Sequence, residues 1–323
     1  MMRRMLVAIP ALDEEATIAS VIGGVPDSVR GVDRLEVVVI DDGSTDRTAE
    51  LAIAAGAEVI SHGRNRGLGE AFRTALEHAR NRGFRFMVFM DGDGQFNPAD
   101  IPALADPVVS GAADMATASR FLHPGYTPEM PALKKFGNRI VAGIVSRLSG
   151  IRIKDATCGF RVYGPGALDW LSSFGRFTYT QEVLIDLAGK GLRIAEVPLR
   201  ILGSRPSGKS RISGNLCRYA LLSVAAMYSS AQSKNPWRFY GRPAVYLILL
   251  GGLSDLAVLV RWVFAGRITP FASFAIGGLF LITFGLLMLL FASVADISSS
   301  SRKHIERIVA ADIRRIRAES ERD

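Results

Sequence analysis

The feature that most constrains this chain is an uncharged segment near its carboxyl end. No residue from 268 to 295 carries a charge, and a helix of about 20 apolar residues is enough to cross the hydrocarbon core of a bilayer. A second apolar segment, residues 243–266, precedes it and contains Asp255 and Arg261. Because the turn between the segments is short, we expect a transmembrane hairpin. Arg261 can reach the interface, whereas Asp255 should face protein, since a carboxylate in lipid is costly.

The residues around this hairpin carry an orientation signal. Basic residues flank its open end on both sides, and an excess of Lys and Arg marks the cytoplasmic side of a membrane. We therefore expect a chain that crosses the cell membrane twice, with both termini and the domain before the spans in the cytoplasm. The flanking residues are Lys234, Arg238 and Arg242 before the hairpin, and Arg302, Lys303 and Arg307 after it.

The segments beside the spans have expected roles of their own. Residues 233–242 form a juxtamembrane linker, and residues 296–323 place isoleucines at helical spacing among arginines. That pattern favours an amphipathic helix on anionic lipid, with a solvated or self-associating tail as the alternative. Asp255, together with the small residues Ser273 and Gly277, offers contacts for a homo-oligomer.

The charge balance narrows the class of partner. Lys and Arg number 39 against 31 Asp and Glu, a net charge of +8, which suits nucleic acid, anionic lipid or a phosphorylated substrate. Nucleic acid is disfavoured because the basic residues are not interleaved with aromatic ones in a recognisable module. The two cysteines, Cys158 and Cys217, have no CxxC spacing and fit a reducing compartment, and the four histidines lack the spacing of a zinc site.

Residues 1–232 have the pattern of a cytosolic α/β domain. Short apolar runs alternate with amphipathic stretches, as parallel strands with crossover helices require in a Rossmann-like sheet. Ligands of such sheets bind beyond the carboxyl ends of the strands. The expected strands are residues 5–9, 36–40, 58–61 and 86–90, and the expected helices are 14–23, 46–55 and 69–82, the second capped by Ser44 or Asp46.

An acidic turn follows the fourth expected strand. Asp91-Gly92-Asp93 can aim two carboxylates at one point, and its glycine lets a ligand approach the backbone. Divalent cations such as Mg²⁺ and Mn²⁺ prefer oxygen ligands of this kind. Asp-Gly turns are also ordinary surface features. Here, however, Gln95 lies two residues on, and a second acidic turn, Asp41-Asp42, ends an earlier strand, so the setting favours a metal site.

A dinucleotide cofactor is rejected on the glycine pattern. Gly67-Leu68-Gly69 lacks the third glycine of the GxGxxG fingerprint, because Phe72 stands at that position. The first turn between strand and helix, residues 10–14, contains no glycine at all. We therefore exclude hydride transfer with a nicotinamide or flavin dinucleotide.

A further helix is expected over residues 133–148. Its apolar residues recur at helical spacing, and basic residues, among them Lys135 and Arg139, lie elsewhere around the axis. Such a helix lies on a membrane surface or packs on the core with a basic outer face, and the sequence leaves both open. On a membrane surface, Lys135 and Arg139 are candidates for binding the phosphate of a lipid.

These motifs resemble the inverting glycosyltransferases of family 2, which have the GT-A fold, and specifically their dolichyl- or polyprenyl-phosphate branch, typified by dolichyl-phosphate mannose synthase. The resemblance covers roughly residues 5–215 and implies a mixed sheet flanked by helices, followed here by the membrane hairpin. The nucleotide-sugar contacts that it implies in the first half of the chain are Pro10, Leu12, Glu14, Ile40, Asp42, Asp91, Gly92, Asp93 and Gln95, with the metal on Asp91, Asp93 and Gln95.

The second half of the domain extends the resemblance. Ser119-Arg120 matches a step whose arginine reaches phosphate, and residues 155–161 resemble a loop near the acceptor that begins at Asp155. Glu182 fits the acid that follows in the family pattern. Arg205 and Arg211 match an element that closes over the diphosphate.

Three positions depart from the family pattern. Asp13 replaces the asparagine of the first turn, Phe121 replaces a tyrosine, and Arg211 replaces a lysine. The second change leaves any role of a tyrosine hydroxyl unfilled. The third keeps the positive charge and adds the option of bidentate phosphate binding.

The resemblance implies a defined reaction. A hexose-type sugar passes, with inversion, from a UDP- or GDP-linked donor to a polyprenyl phosphate at the cytoplasmic membrane face. Catalysis is assigned to Asp93 in the metal site, Arg120 on the leaving diphosphate and Asp155 near the acceptor. The structural alternative for Asp155 is that it caps its own turn. Lys135 and Arg139 are the candidates for the acceptor phosphate.

Two other functions stay open at this point. A processive polysaccharide synthase of the same fold is the nearest one, although the chain lacks a QxxRW signature and two spans offer little material for an export channel. A non-catalytic membrane scaffold that binds nucleotide sugars would retain Asp42 and the hairpin but would not need the metal pair.

Overall fold

The computed structural model describes residues 2–171, 179–203, 205, 236–267 and 269–320. The chain divides into two compact units. One comprises Met1–Met227 with Ile308–Asp323, and the other comprises Tyr228–Arg307. Arg211 and the expected boundary at residues 232 and 233 lie outside the described residues.

Seven strands in the described part of the first unit form one mixed sheet. Their order is β3-β2-β1-β4-β6-β5-β7, and β6 runs antiparallel to both its neighbours while all other pairs are parallel. All four strands expected from the sequence are present, which confirms the α/β class. The strands are β1 (Arg4–Ala11), β2 (Arg34–Asp41), β3 (Glu58–Ser61), β4 (Phe86–Phe89), β5 (Met115–Ser119), β6 (Arg161–Tyr163) and β7 (Ile194–Pro198).

Helices pack on both faces of this sheet because its central strands are apolar on both faces. In β1, residues 5–11 are all buried; Val7 and Ile9 belong to one core cluster, and Leu6 and Ala8 to the other. Such two-sided burial is typical of parallel sheets. The α-helices in the described residues of this unit are α1 (Ile18–Gly23), α2 (Thr48–Ala54), α3 (Leu68–Asn81), α4 (Ile101–Val109), α5 (Ala132–Ser149), α6 (Pro165–Trp170) and α7 (Tyr179–Gly189).

The first two helices begin later than the sequence predicts. Residue 14 was expected to open the first helix, but the amides of Thr17 and Ile18 both bond to the Glu14 carbonyl, so a turn precedes α1. In the second, the Asp46 carboxylate accepts the amide of Thr48, the first residue of α2. The N-cap of α2 is Arg47, whose side chain makes no capping hydrogen bond. The expected cap at Ser44 or Asp46 is therefore wrong, although Asp46 binds the first amide of the helix.

Helix α5 packs on the core, which is one of the two arrangements expected for it, while contact with a membrane surface stays a prediction. Ala142 and Val145 are buried in the core, whereas Phe136 and Ile140 are 60% and 47% exposed. The helix thus packs on the domain through its second half and exposes apolar side chains in its first half.

The described part of the second unit contains two helices long and apolar enough to cross a membrane. Helix α8 (Arg242–Ala265) follows one turn of π-helix, and helix α9 (Ala272–Ser320) continues through the expected tail without a break. Both expected spans are therefore helical, and the expected tail helix is an extension of the second span.

Small residues bring α8 and α9 into close contact. A Cβ atom on Gly251 would lie 2.5 Å from the Gly278 carbonyl oxygen, and one on Gly285 would lie 2.9 Å from the Ala244 carbonyl oxygen. Asp255 packs directly against Gly278 with one carboxylate oxygen buried, which confirms that it faces protein. Glycine is required at these points because backbone atoms occupy the space of a side chain.

The small residues singled out from the sequence do not form this contact. Ser273 and Gly277 are exposed, and a Cβ atom on Gly277 would meet nothing within 4 Å. Their expected role in a homo-oligomer stays a prediction.

Replacing Gly251 with alanine should destabilise the helix pair. The added methyl group overpacks a backbone contact, and we expect a cost of about 1–3 kcal/mol. Gly252→Ala is the matched control, since nothing lies within 4 Å of its Cβ position. Thermal unfolding of the full chain in detergent, followed by tryptophan fluorescence, measures both variants. Equal melting temperatures would show that the helices are not in contact at Gly251.

Candidate active site

The polar residues of the candidate site gather at one edge of the sheet. This edge holds the carboxyl ends of the parallel strands β1, β2, β3, β4, β5 and β7. Because β6 is antiparallel, the segment that enters it, residues 155–160, lies at the same edge. Turns far apart in sequence are therefore neighbours in space.

The first turn after β1 interlocks with the turn after β2. Asp13 has a φ of +44°, a left-handed conformation in which Asn and Asp are the favoured residues after glycine. Its carboxylate accepts the amide of Thr45 at 2.7 Å, and its own amide donates to the Ser44 hydroxyl at 3.0 Å. Aspartate thus fills the position at which the family has asparagine. Pro10 is buried and Leu12 is half-buried beside this turn.

The acidic pair after β2 holds loops in place. Asp41 accepts the amide of Ser44 and the hydroxyl of Ser61, so it supports the turn after β2. The Asp42 carboxylate accepts the amides of Arg66 and Gly67 at 2.9 and 2.8 Å. Ile40 is fully buried. The nucleotide contacts expected of Ile40 and Asp42 stay predictions.

His62 is a site residue that the sequence reading missed. Its Nδ1 lies 2.8 Å from Asp42 and its Nε2 lies 2.9 Å from the Thr74 hydroxyl, so the ring links β2 to α3. No ligand spacing marks this histidine. Its position directly after β3 was the only signal, since it places the ring at the carboxyl edge.

The Asp91-Gly92-Asp93 turn is pressed against β1. The Gly92 amide lies 3.3 Å from the Pro10 carbonyl oxygen, and its carbonyl accepts the buried Thr17 hydroxyl at 2.7 Å. A Cβ atom on Gly92 would lie 3.2 Å from Ile9. A side chain at the middle position would have to displace Ile9 and Ile18 by a few tenths of an ångström, so packing disfavours any residue larger than glycine there. The two carboxylates are on either side of this position.

Arg205 balances part of the negative charge of this acidic turn. Its Nε lies 2.9 Å from Asp93 Oδ2 and its Nη1 lies 3.0 Å from Glu14 Oε1. One guanidinium therefore bridges two of the residues that are expected to bind the nucleotide sugar. Burial, together with the charge of Asp93, raises the pKa of Asp91 to about 7, and Arg205 opposes this rise. The site has an excess of negative charge that one arginine balances in part.

Gln95 fastens the chain segment that carries Arg205. Its side-chain amide donates to the Leu202 carbonyl at 3.1 Å, and the Leu202 amide donates to the Gln95 carbonyl at 3.2 Å. The Gln95 amide also donates to Asp93 Oδ1 at 3.0 Å. Gln95 thus joins the segment after β7 to the acidic turn, and its expected role as a metal ligand stays a prediction.

The carboxylate oxygens of the turn suit a divalent cation that a bound diphosphate also coordinates. Within the described ranges, no three His, Cys, Asp or Glu side chains are grouped as a metal site. Asp91 and Asp93 alone would leave most coordination positions to other oxygen atoms. Mg²⁺ commonly binds in this way, through one or two carboxylates, substrate phosphates and water. The residues therefore suit a metal that binds together with a diphosphate.

Residues 203–210 also match the GxxxxGK[ST] spacing of a phosphate-binding loop. That motif cradles phosphates where a strand leads directly through it into a helix. Here β7 ends at Pro198, and Leu202 is held on Gln95 before the motif begins. The spacing alone therefore does not identify an ATPase.

Arg120 and Asp155 form the second charged pair at this edge. Arg120 Nε and Nη2 lie 2.6 and 2.8 Å from the two oxygens of Asp155, whose side chain is fully buried. Burial alone raises the pKa of Asp155, but the hydrogen bonds and charge of Arg120 outweigh it and hold that pKa below its ordinary value. The Thr157 amide lies 3.3 Å from the same carboxylate, so Asp155 also caps its own turn.

Two residues without a sequence signal support this pair. Glu196 on β7 accepts the amides of Lys154 and Asp155, both at 2.9 Å. Asn138 on α5 accepts the Thr157 hydroxyl at 2.7 Å and lies 3.3 Å from the Lys154 carbonyl oxygen. The loop before β6 is thereby tied both to the sheet and to α5.

The expected acceptor residues lie on the exposed side of α5. Lys135 and Arg139 are both exposed, beside the exposed Phe136 and Ile140. Asn138 lies between them and contacts the loop that holds Asp155. Glu182 is in the first turn of α7, and its expected role stays a prediction.

Arg120→Met should unfold more easily, because it leaves a buried carboxylate without its cation. We expect a loss of about 3 kcal/mol at neutral pH. In the native chain the folded pKa of Asp155 is lowered, so the contribution of the pair is fully present above about pH 4 and is lost as pH falls through the folded pKa. In the variant the charge and side-chain hydrogen bonds of Arg120 are gone, and only the amides of residue 120 and Thr157 still oppose burial. We therefore expect the folded pKa of Asp155 to rise, so that protonation at lower pH removes the unpaired buried charge.

The difference in melting temperature between native chain and variant should therefore shrink from pH 7 to pH 4. Thermal unfolding of the detergent-solubilised chain measures it, with Arg193→Met, at an exposed ion pair to Asp114, as the control. A difference in melting temperature that does not change with pH would contradict an Asp155 that is both buried and ionised.

Comparison with known proteins agrees with this geometry. The model of Glycosyl transferase family 2 matches residues 6–169. Glycosyltransferase AglJ of Haloferax volcanii is 30% identical over 304 residues, which cover 93% of this chain and 95% of that protein. Polyprenol monophosphomannose synthase of Mycolicibacterium smegmatis is 31% identical over 234 residues, which cover 69% of this chain and 86% of that protein.

A solved structure shows the same fold. It is glucosyl-3-phosphoglycerate synthase from Mycobacterium tuberculosis in complex with Mn²⁺, UDP and glucosyl-3-phosphoglycerate, with a TM-score of 0.53 and 28% identity. The match covers 71% of this chain and 80% of that one. The likeness confirms the expected GT-A fold. With a matching family model over half of the chain and a relative similar along nearly all of it, the chain belongs to glycosyltransferase family 2 and is a glycosyltransferase.

Proposed function

We propose that this glycosyltransferase moves a hexose-type sugar, with inversion, from a UDP- or GDP-linked donor to a polyprenyl phosphate at the cytoplasmic face of the membrane. One observation carries the proposal: a single chain joins an acidic GT-A turn with a paired arginine to two helices long enough to cross a membrane. The mycobacterial relative named for polyprenol monophosphomannose synthesis supports the lipid acceptor.

The donor half of the reaction uses the acidic turn. A divalent cation, Mg²⁺ or Mn²⁺, on Asp91 and Asp93 with Gln95 nearby would offset the charge that grows on the leaving diphosphate. Arg205 is already at this turn. Its planar guanidinium suits bidentate contact with phosphate oxygens. Pro10, Leu12 and the β2 turn complete the proposed nucleotide contacts.

The acceptor half uses α5. A phosphate monoester carries close to two charges at neutral pH, its second pKa being roughly 6, so it attacks the sugar carbon without a strong general base. Lys135 and Arg139 supply positive charge to that phosphate, and the exposed Phe136 and Ile140 offer an apolar surface to its lipid chain. Direct attack by the acceptor in one displacement gives inversion.

The ion pair of Arg120 and Asp155 then has a positioning role. Asp155 is fully buried and bound through both oxygens to Arg120, and a lipid phosphate requires no base. We therefore assign the pair to shaping the loop before β6, which Asn138 connects to α5. The phosphate contact that the family pattern implies for Arg120 stays a separate prediction.

The membrane orientation follows from charge. Arg238 and Arg242 precede α8, and Arg302, Lys303 and Arg307 follow the apolar part of α9. Both ends of the hairpin are thus basic, which supports cytoplasmic termini and a cytoplasmic donor site.

The test is incubation of the purified chain with polyprenyl phosphate, Mg²⁺ or Mn²⁺, and a panel of UDP- and GDP-sugars, with mass analysis of the lipid. We expect one sugar to be added to the phosphate. A ladder of longer products would indicate a processive synthase instead. Phosphoglyceric acid, found in a complex of the solved mycobacterial synthase, is the water-soluble acceptor to compare, and transfer to it alone would overturn the lipid assignment.

Asp91→Asn and Asp93→Asn should each lower the rate of sugar transfer about 100-fold or more, since each removes charge from the proposed metal seat. Asp106→Asn is the matched control, because that carboxylate is exposed on α4. Initial rates at saturating donor and acceptor make the comparison. Activity retained in both variants of the turn would refute the mechanism and favour the scaffold alternative.

Reversing the two charges on α5, in Lys135→Glu with Arg139→Glu, should raise the KM for polyprenyl phosphate about tenfold or more, because each contact to phosphate is charge-assisted. The KM for the nucleotide sugar should not change. Arg147→Glu with Arg152→Glu, at exposed positions in the last turn of α5 and just beyond it, makes the same change in net charge and is the control. An unchanged acceptor KM would remove α5 from the acceptor site.

A further inference from the structure

Arg205 stands where a cation is expected to bind. It contacts Asp93 Oδ2 at 2.9 Å and Glu14 Oε1 at 3.0 Å. The three side chains are mostly buried, with exposed fractions of 19% for Arg205, 11% for Glu14 and 4% for Asp93. The guanidinium therefore balances the charge of the turn in a setting where little water screens it.

We propose that Arg205 is the resident counter-ion of the acidic turn, which it leaves for the diphosphate when metal and nucleotide bind. The proposal rests on the donor site of the proposed function. Binding of the metal and of the nucleotide then depend on each other. While Arg205 contacts the acidic turn it opposes metal binding, and once it has left the turn it can bind the diphosphate of the nucleotide.

The contacts of Asp93 support the competition. Its Oδ1 accepts the amide of Gln95, and its Oδ2 forms the ion pair with Nε of Arg205. A divalent cation on Oδ2 would therefore share one carboxylate oxygen with the guanidinium and weaken that ion pair. A cation at Asp91 and Asp93 would also repel the guanidinium, so both effects oppose metal binding while Arg205 stays in place.

The backbone anchor explains how Arg205 can exchange partners without leaving the site. Leu202, three residues earlier, is bonded to Gln95 through both its amide and its carbonyl group. Gln95 belongs to the acidic turn itself. The side chain of Arg205 therefore remains near any diphosphate bound at that turn, whichever partner it contacts.

Opposite effects on the two ligands follow. In Arg205→Gln, the affinity for Mn²⁺ in the absence of nucleotide should rise about tenfold, because the competing cation is gone. The affinity for UDP or GDP should fall about tenfold, because a phosphate contact is lost. In the native chain each ligand should raise the affinity for the other by one common factor, because linkage is reciprocal. In Arg205→Gln this factor should be smaller, and it should be the same whichever ligand is added first.

The experiment titrates Mn²⁺ into the full chain in detergent and follows free Mn²⁺ by electron paramagnetic resonance, with and without UDP or GDP. Arg200→Gln is the matched control, since this exposed arginine lies on the same segment over the Tyr126 ring. Asp93→Asn, alone and combined with Arg205→Gln, identifies the signal from the turn. Arg205→Lys keeps the positive charge but lacks the planar guanidinium. It should bind Mn²⁺ with an affinity between those of the native chain and Arg205→Gln.

Tighter Mn²⁺ binding by Arg205→Gln without nucleotide, lost on adding Asp93→Asn, supports the proposal. Unchanged or weaker binding in that variant overturns it, and the lysine variant decides if the glutamine variant does not fold. The measurement involves neither sugar nor lipid. Failure of transfer to polyprenyl phosphate would therefore leave this result standing, and the reverse also holds.

Discussion

Parallel pairing of β1 with β2 and with β4 is the constraint on which the candidate site depends. Ala11 lies opposite Asp41, and Ala8 lies opposite Phe89, so the turns after these strands begin at the same edge. β1 holds this central place because its apolar side chains feed the cores on both faces of the sheet. The acidic turns converge as a consequence of strand pairing, before any contact between them forms.

Bringing carboxylates together in this way requires compensation. Arg205 bridges Glu14 and Asp93, and Arg120 binds the buried Asp155. A buried carboxylate without such a partner would either take up a proton or destabilise the fold. The two arginines thus serve stability in the unliganded chain, and both are groups that a phosphate oxygen can attract. The competition between these demands links the structure of the site to its proposed reaction.

Signals confined to one segment predicted their elements well. The four strands, the helix over residues 133–148 and the two apolar helices are all present, because periodicity and composition act over neighbouring residues. The acidic turn of residues 91–93 also lies where its place after a strand indicated. The helix starts were less accurate, since hydrogen bonds of Glu14 and Asp46 set them.

The sequence by itself determined the fold class, the family and the edge of the sheet that carries the site, since each depends on local pattern or on motifs read in order. Only the tertiary structure decided which charges pair. Arg205 and Glu14 are 191 residues apart, and His62, Asn138 and Glu196 have no motif to mark them. It also decided that Gly278, not Gly277, meets α8, because a rotation about the helix axis separates adjacent glycines that look equivalent in sequence.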